Sequence, residues 1–149
     1  MATASGELVP GHAQEVRVVT LAVELTPAPD PLDTCARFAE LPHLCFLDSS
    51  ARGPLGRYSF LTADPVARVG ADGDPLAAAR ALLAPHHQPA LAGLPPFQGG
   101  IAGYLSYDVP DAGLGLYDWV IAWDHLAGRA WVVAWGKERL AWEIGRAHV

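Results

Sequence analysis

The sequence predicts an α+β fold, antiparallel β-sheets with helices packed against them. Three observations carry that expectation. Runs rich in β-branched and aromatic residues, each of strand length, outnumber the stretches with helical spacing. Two such runs, residues 119–123 and 131–135, flank a short connection containing Gly128, the layout of a hairpin. Both helical stretches open on an aspartate followed by proline, Asp30-Pro31 and Asp74-Pro75, which supplies a cap and a preset first turn.

The elements follow in order. Residues 16–25 (VRVVTLAVEL) read as a first strand, and two prolines in residues 26–30 turn the chain. Residues 31–41 place Leu32, Cys35, Phe38, Ala39 and Leu41 at helical spacing. Short strands are expected over residues 43–47, 57–62 and 66–69, separated by Gly/Pro-containing loops. Residues 75–84 form the second helix, and residues 85–94 a Pro/His/Ala loop. A glycine-rich strand follows, and residues 109–116 are expected as a loop leading into the tryptophan hairpin. A spacing of four puts Trp119 with Trp123, and Trp131 with Trp135, on one face, and the four rings are expected on a common face of the hairpin. Burying one ring is worth at most ~4–6 kcal/mol. The hairpin is therefore expected as core.

A chain of 149 residues suits one domain with a sizeable core. With 51% hydrophobic and 17% charged residues it reads as a folded body rather than a disordered one. Sixteen acidic against ten basic residues, with no clustered Lys or Arg, leave no nucleic-acid footprint. The basic residues are nearly all arginine, which GC-rich coding explains better than an anion site. Cys35 and Cys45 are too few for a disulfide framework and read as buried free thiols. Residues 1–15 are expected to form a flexible N-terminus, without a secretory signal, and no apolar run approaches membrane-spanning length. A cytoplasmic location is expected. Residues 143–149 (EIGRAHV) look like the translation of a sequencing-library adaptor and are set apart from the domain at residues 16–142.

The stretch richest in information is Pro95-Pro96-Phe97-Gln98-Gly99-Gly100-Ile101-Ala102-Gly103-Tyr104-Leu105-Ser106-Tyr107-Asp108. The prolines enforce an extended entry. Gly99, Gly100 and Gly103 weaken the following strand, so something is expected to pack hard against its backbone. The stretch resembles the P-P-F-x-G-G-x-x-G-Y-x-x-Y-D signature in the N-terminal domain of chorismate-utilising enzymes, which include anthranilate synthase component I and aminodeoxychorismate synthase component I. The resemblance implies an incomplete N-terminal lobe of the anthranilate synthase component I fold. Residues 117–125 (YDWVIAWDH) look closer to aminodeoxychorismate synthase component I.

Phe46-Leu47-Asp48-Ser49 is similar to the family's L-L-E-S motif, with Phe for Leu and Asp for Glu. The resemblance implies a tryptophan-type pocket contacted by Ser49 and walled by Arg57, Tyr58, Ser59 and Phe60. In the alternative reading Ser49 ends a strand and Arg57 makes a surface ion pair. Tyr104, Tyr107 and Asp108 are expected to be structural. Gly99–Gly103 lacks the Gly-Lys-Ser/Thr ending of a phosphate loop. His86-His87 lacks metal-ligand spacing, and His125 reads as a polar turn residue. No Ser/His/Asp or Cys/His nucleophile is evident.

The resemblance further implies that the intact enzyme aminates chorismate with ammonia from a glutamine amidotransferase subunit or domain. It implies Mg2+ held by acidic residues of a catalytic domain lying beyond these motifs. No cofactor, metal ligand or catalytic residue is assigned to this chain, which alone is expected to be inactive. The product implied is 4-amino-4-deoxychorismate, towards para-aminobenzoate and folate. Anthranilate for tryptophan biosynthesis is the alternative, and a stand-alone amino-acid-binding module a third.

Overall fold

The computed structural model describes residues 19–70, 72–107 and 112–148. Eight strands and three α-helices make up these residues: β1 (Thr20–Leu25), α1 (Pro31–Phe38), β2 (Cys45–Leu47), β3 (Tyr58–Thr62), β4 (Ala67–Arg68), α2 (Pro75–Leu83), β5 (Gly100–Leu105), β6 (Ala112–Tyr117), β7 (Trp119–Asp124), β8 (Arg129–Trp135) and α3 (Lys137–Ala147). Every pairing is antiparallel. The larger sheet has the order β1-β8-β7-β3-β2 and the smaller one β4-β6-β5. The fold is α+β, as its sequence pattern indicates.

Both predicted caps form. Asp30 Oδ1 accepts the amides of Leu32 and Asp33, and Asp74 Oδ1 those of Leu76 and Ala77, satisfying amides that a helix start leaves open. α3 begins without such a signal: Gly136 precedes it at φ 105 and offers no side-chain cap. Residues 143–147 lie in this helix, with Glu143 and Ala147 buried. The adaptor expectation concerns the encoding nucleic acid and is tested there.

The larger sheet is covered on both faces. On one, Phe38 of α1 and Leu140 of α3 pack with Leu61, Trp119, Ile121, Trp123 and Val132. On the other, Leu94 and Phe97 of the proline loop cover Val120, Trp131 and Val133. Gln98 braces that loop, donating from Nε2 to the carbonyls of Leu91 (2.9 Å) and Pro95 (3.2 Å) and accepting the Leu91 amide at 2.8 Å. The smaller sheet rests on α2 through Val69, Leu114, Ile101, Ala79 and Leu82.

Two expectations are corrected. The tryptophans do not share a face. Trp119 pairs with Ala134 and Trp131 with Ala122, so Trp119 and Trp123 face the helices while Trp131 lies on the opposite side. Spacing fixes a face within one strand, but register relates two strands, and here it sets tryptophan against alanine. Second, residues 112–116 are not loop but part of β6, which pairs with both β4 and β5. Gly113 and Gly115 leave one side of that strand bare except for Tyr117, which erases the pattern by which a strand is read. The Tyr104 ring and Pro65 occupy that space.

Candidate functional site

The polar residues of interest gather where β2 ends, β3 begins and β7 turns back. The β2–β3 ladder stops at Leu47↔Phe60, and side chains continue it. Ser49 donates its hydroxyl to the Tyr58 carbonyl at 2.6 Å and its amide to Ser59 Oγ at 3.0 Å. Ser59 is fully buried, and its Oγ also lies 2.7 Å from Asp48 Oδ1 and 2.7 Å from His125 Nε2. The β3–β7 register, Tyr58↔Asp124 and Ser59↔Trp123, brings the Asp124-His125 turn alongside. Arg57 grips Asp124 with two bonds, Nε to Oδ1 at 3.1 Å and Nη2 to Oδ2 at 2.7 Å. Asp124 Oδ1 also accepts the amides of Leu126 and Ala127, and the His125 amide donates to the Arg57 carbonyl at 2.8 Å.

The electrostatics follow from these partners. The Arg57 hydrogen bonds hold the Asp124 carboxyl below its usual range against the opposing effect of burial, and Asp124 raises Arg57 in turn. Burial, then Arg52, lowers His125 despite Asp48 and Asp124, which favours a neutral imidazole. Asp48, Ser59 and His125 resemble a nucleophilic triad in composition only. A base would have to accept the serine proton, whereas here the Asp48 carboxylate lies at hydrogen-bond distance and can only accept.

The five residues expected around one pocket are divided by strand alternation. Ser59 faces the α1 side, while Tyr58 and Phe60 face the other. Phe60 sits edge-on to Phe97, ring centres 5.8 Å apart, and Arg57 lies over the Tyr58 ring at 5.0 Å.

A cleft of about 430 Å3 opens between β2 and the smaller sheet. Phe46 and Leu47 form one wall, Gly103, Tyr104 and Gly115 the other, and Arg68 and Tyr117 complete it. The Tyr117 hydroxyl donates to the His43 carbonyl at 2.8 Å, tying the two sheets together, and burial raises its pKa. Arg68 carries no sequence signal, and Tyr117 stands out only as the start of the stretch 117–125, not as a cleft residue. One stands on a two-residue strand and the other at the end of a strand hidden by glycines. Ser49, Arg57, Tyr58, Ser59 and Phe60 do not line this cleft; Ser49 lies two residues beyond its wall.

Close approach explains two glycines of the signature, and a positive φ of 130 the third, Gly100. At Gly99, φ 100, a Cβ would come within 2.6 Å of the Trp135 indole. At Gly103, φ 139, it would lie 1.8 Å from the Gly113 carbonyl oxygen. Tyr107 is exposed, and Asp108 lies outside the described residues. Trp135 donates from Nε1 to the Gln98 carbonyl at 3.0 Å and stacks on His86 at 5.5 Å. Cys35 and Cys45 are half-buried, and burial raises both thiols, which suits inert cysteines. Among the described residues no group of three His, Cys, Asp or Glu could hold a metal ion. No helix among them is long and apolar enough to cross a membrane.

No family model matches the chain. Anthranilate synthase component 1 of Pseudomonas aeruginosa is 30% identical, over 80% of this chain and 32% of its own length. Anthranilate synthase component 1 of Streptomyces coelicolor is 46% identical over 56 residues, 38% of this chain and 11% of its own. The likeness supports the chorismate-utilising family. It does not single out aminodeoxychorismate synthase within that family. The chain spans about a third of the length of the Pseudomonas relative.

Proposed function

We propose that this chain is the N-terminal part of an enzyme that aminates chorismate, and that its cleft takes an aromatic amino acid. The observation that carries the reading is a convergence. Two of the stretches that resemble the family are far apart in sequence, and their residues Phe46-Leu47 and Gly103-Tyr104 form opposite walls of one cleft. Arg68 supplies a cation for a carboxylate there, and Tyr104 an aromatic surface. Tryptophan is the ligand of first choice.

The finer reading is aminodeoxychorismate synthase component I, making 4-amino-4-deoxychorismate for para-aminobenzoate and folate. Residues 117–125 support it. Anthranilate synthase component I is the second reading, supported by the names of both relatives. A glutamine amidotransferase subunit or domain would deliver ammonia in either case, and a cytoplasmic location goes with both. Among the described residues no acidic cluster fits the Mg2+ ion of the intact enzyme.

The test joins this chain to the sequence that follows it in its gene and supplies chorismate, Mg2+ and ammonium. Anthranilate or 4-amino-4-deoxychorismate is the expected product, and its identity decides between the readings. Turnover of chorismate by the 149-residue chain alone would overturn the assignment. Calorimetry of the chain with L-tryptophan, with Arg68→Ala as the comparison, tests the cleft.

A further inference from the structure

We propose that Ser59 is the positioning residue of the cleft, fixing the end of β2 through a hydroxyl that holds His125 as its Nε2–H tautomer. The ligand half of this inference rests on the reading of the cleft given above. β2 is only three residues long and lies at the edge of its sheet, so among the described residues β3 alone pairs with it. Its last residue, Leu47, is also cleft wall. Beyond Leu47 the backbone ladder ends, and what holds the chain is Ser49 on the Tyr58 carbonyl together with Ser59 on Ser49 and Asp48.

Counting protons fixes the arrangement. A serine hydroxyl has one proton and two lone pairs. The Asp48 carboxylate has no proton to give, so Ser59 donates to it. The Ser49 amide can only donate, and occupies one lone pair. The contact with His125 must then be an Nε2–H donated to the remaining lone pair. Every hydrogen-bonding position on Ser59 is thereby filled, in a side chain with no solvent exposure. A ligand cannot use this hydroxyl without breaking the clamp. Its influence on the cleft passes through Asp48 and Ser49 to Leu47.

The experiment uses the 149-residue chain. Long-range 15N spectra of the imidazoles, recorded where His125 is neutral, are expected to show Nε2–H; an Nδ1–H tautomer overturns the proposal. In Ser59→Ala the Ser49 amide is expected to exchange about five- to tenfold faster, with the amides of Leu61 and Ile121 unchanged. His125→Ala is expected to give part of that effect, and His125→Gln, which keeps an N–H donor, to restore wild-type exchange. Unchanged Ser49 exchange in Ser59→Ala also overturns it. These readouts need no ligand. L-Tryptophan is then titrated: Ser59→Ala is expected to bind about fivefold more weakly. Equal binding by Ser59→Ala and wild type removes the positioning role. Failure of the wild type to bind, with tautomer and exchange as expected, removes the ligand reading and leaves the clamp.

Discussion

The two sheets solve the same problem with opposite materials. The larger is thick: β7 is buried along its whole length, and the tryptophans of β7 and β8 fill opposite faces of the sheet together with the helices and the proline loop. The smaller is thin. Gly103, Gly113 and Gly115 bring backbone against backbone and ring against backbone, and the end of β5 stands exposed at Tyr104 and Leu105. A thick sheet gains from buried area; a thin one gains from close approach and leaves a wall open. The cleft lies along the thin one.

Breaking the comparison should cost most at Trp119. Its ring is fully buried, stacks on Phe38 at 5.2 Å and donates to the Ala63 carbonyl at 2.9 Å. Trp119→Ala is expected to destabilise by about 3–5 kcal/mol in urea unfolding. In the thin sheet the comparable blow comes from adding a methyl group. Gly103→Ala sets a Cβ against a paired backbone carbonyl at a φ that disfavours side chains, and about 3 kcal/mol is expected. Gly113→Ala, at an ordinary strand φ, instead meets the ring of Tyr104, a side chain rather than paired backbone, so a smaller loss of about 1 kcal/mol is expected from the same measurement.

Smaller effects sharpen the contrast at the rim of the thick sheet. Asp124 is lowered in the folded state, so its stabilisation is present above the ordinary aspartate range, near pH ~4, and is lost as pH falls through the folded value. Asp124→Asn should therefore flatten the acid limb of stability between pH ~5 and ~3, read as urea midpoints against pH. Glu24→Gln, which breaks an exposed pair with Arg129 across β1 and β8, should move the midpoint least, and added salt should erase the difference.

Much of the thick sheet was legible and less of the thin one, for a physical reason. Tryptophan and β-branched residues declare themselves through pattern, as do the Asp-Pro starts of α1 and α2. β6 builds its strand from Gly113 and Gly115, whose role depends on what lies across from them, and no local pattern reports that. The tryptophan faces failed for a related reason, because register belongs to a pair of strands. At the site, Ser49, Arg57 and Ser59 stand out by motif, and His125 does lie in the expected turn, but its contact with Ser59 has no local signal. Its partner lies 66 residues away, and only the β3–β7 register brings them together.

The pairing of β1 with β8 carries a consequence for how this chain is made. Thr20 stands opposite Trp135 in the ladder, although most of the chain separates them. Neighbouring strands such as β7 and β8 close a short loop and can zip early, whereas the first strand must wait for the last. During synthesis, β1 therefore lacks the strand it pairs with here until residues 130–135 have been made.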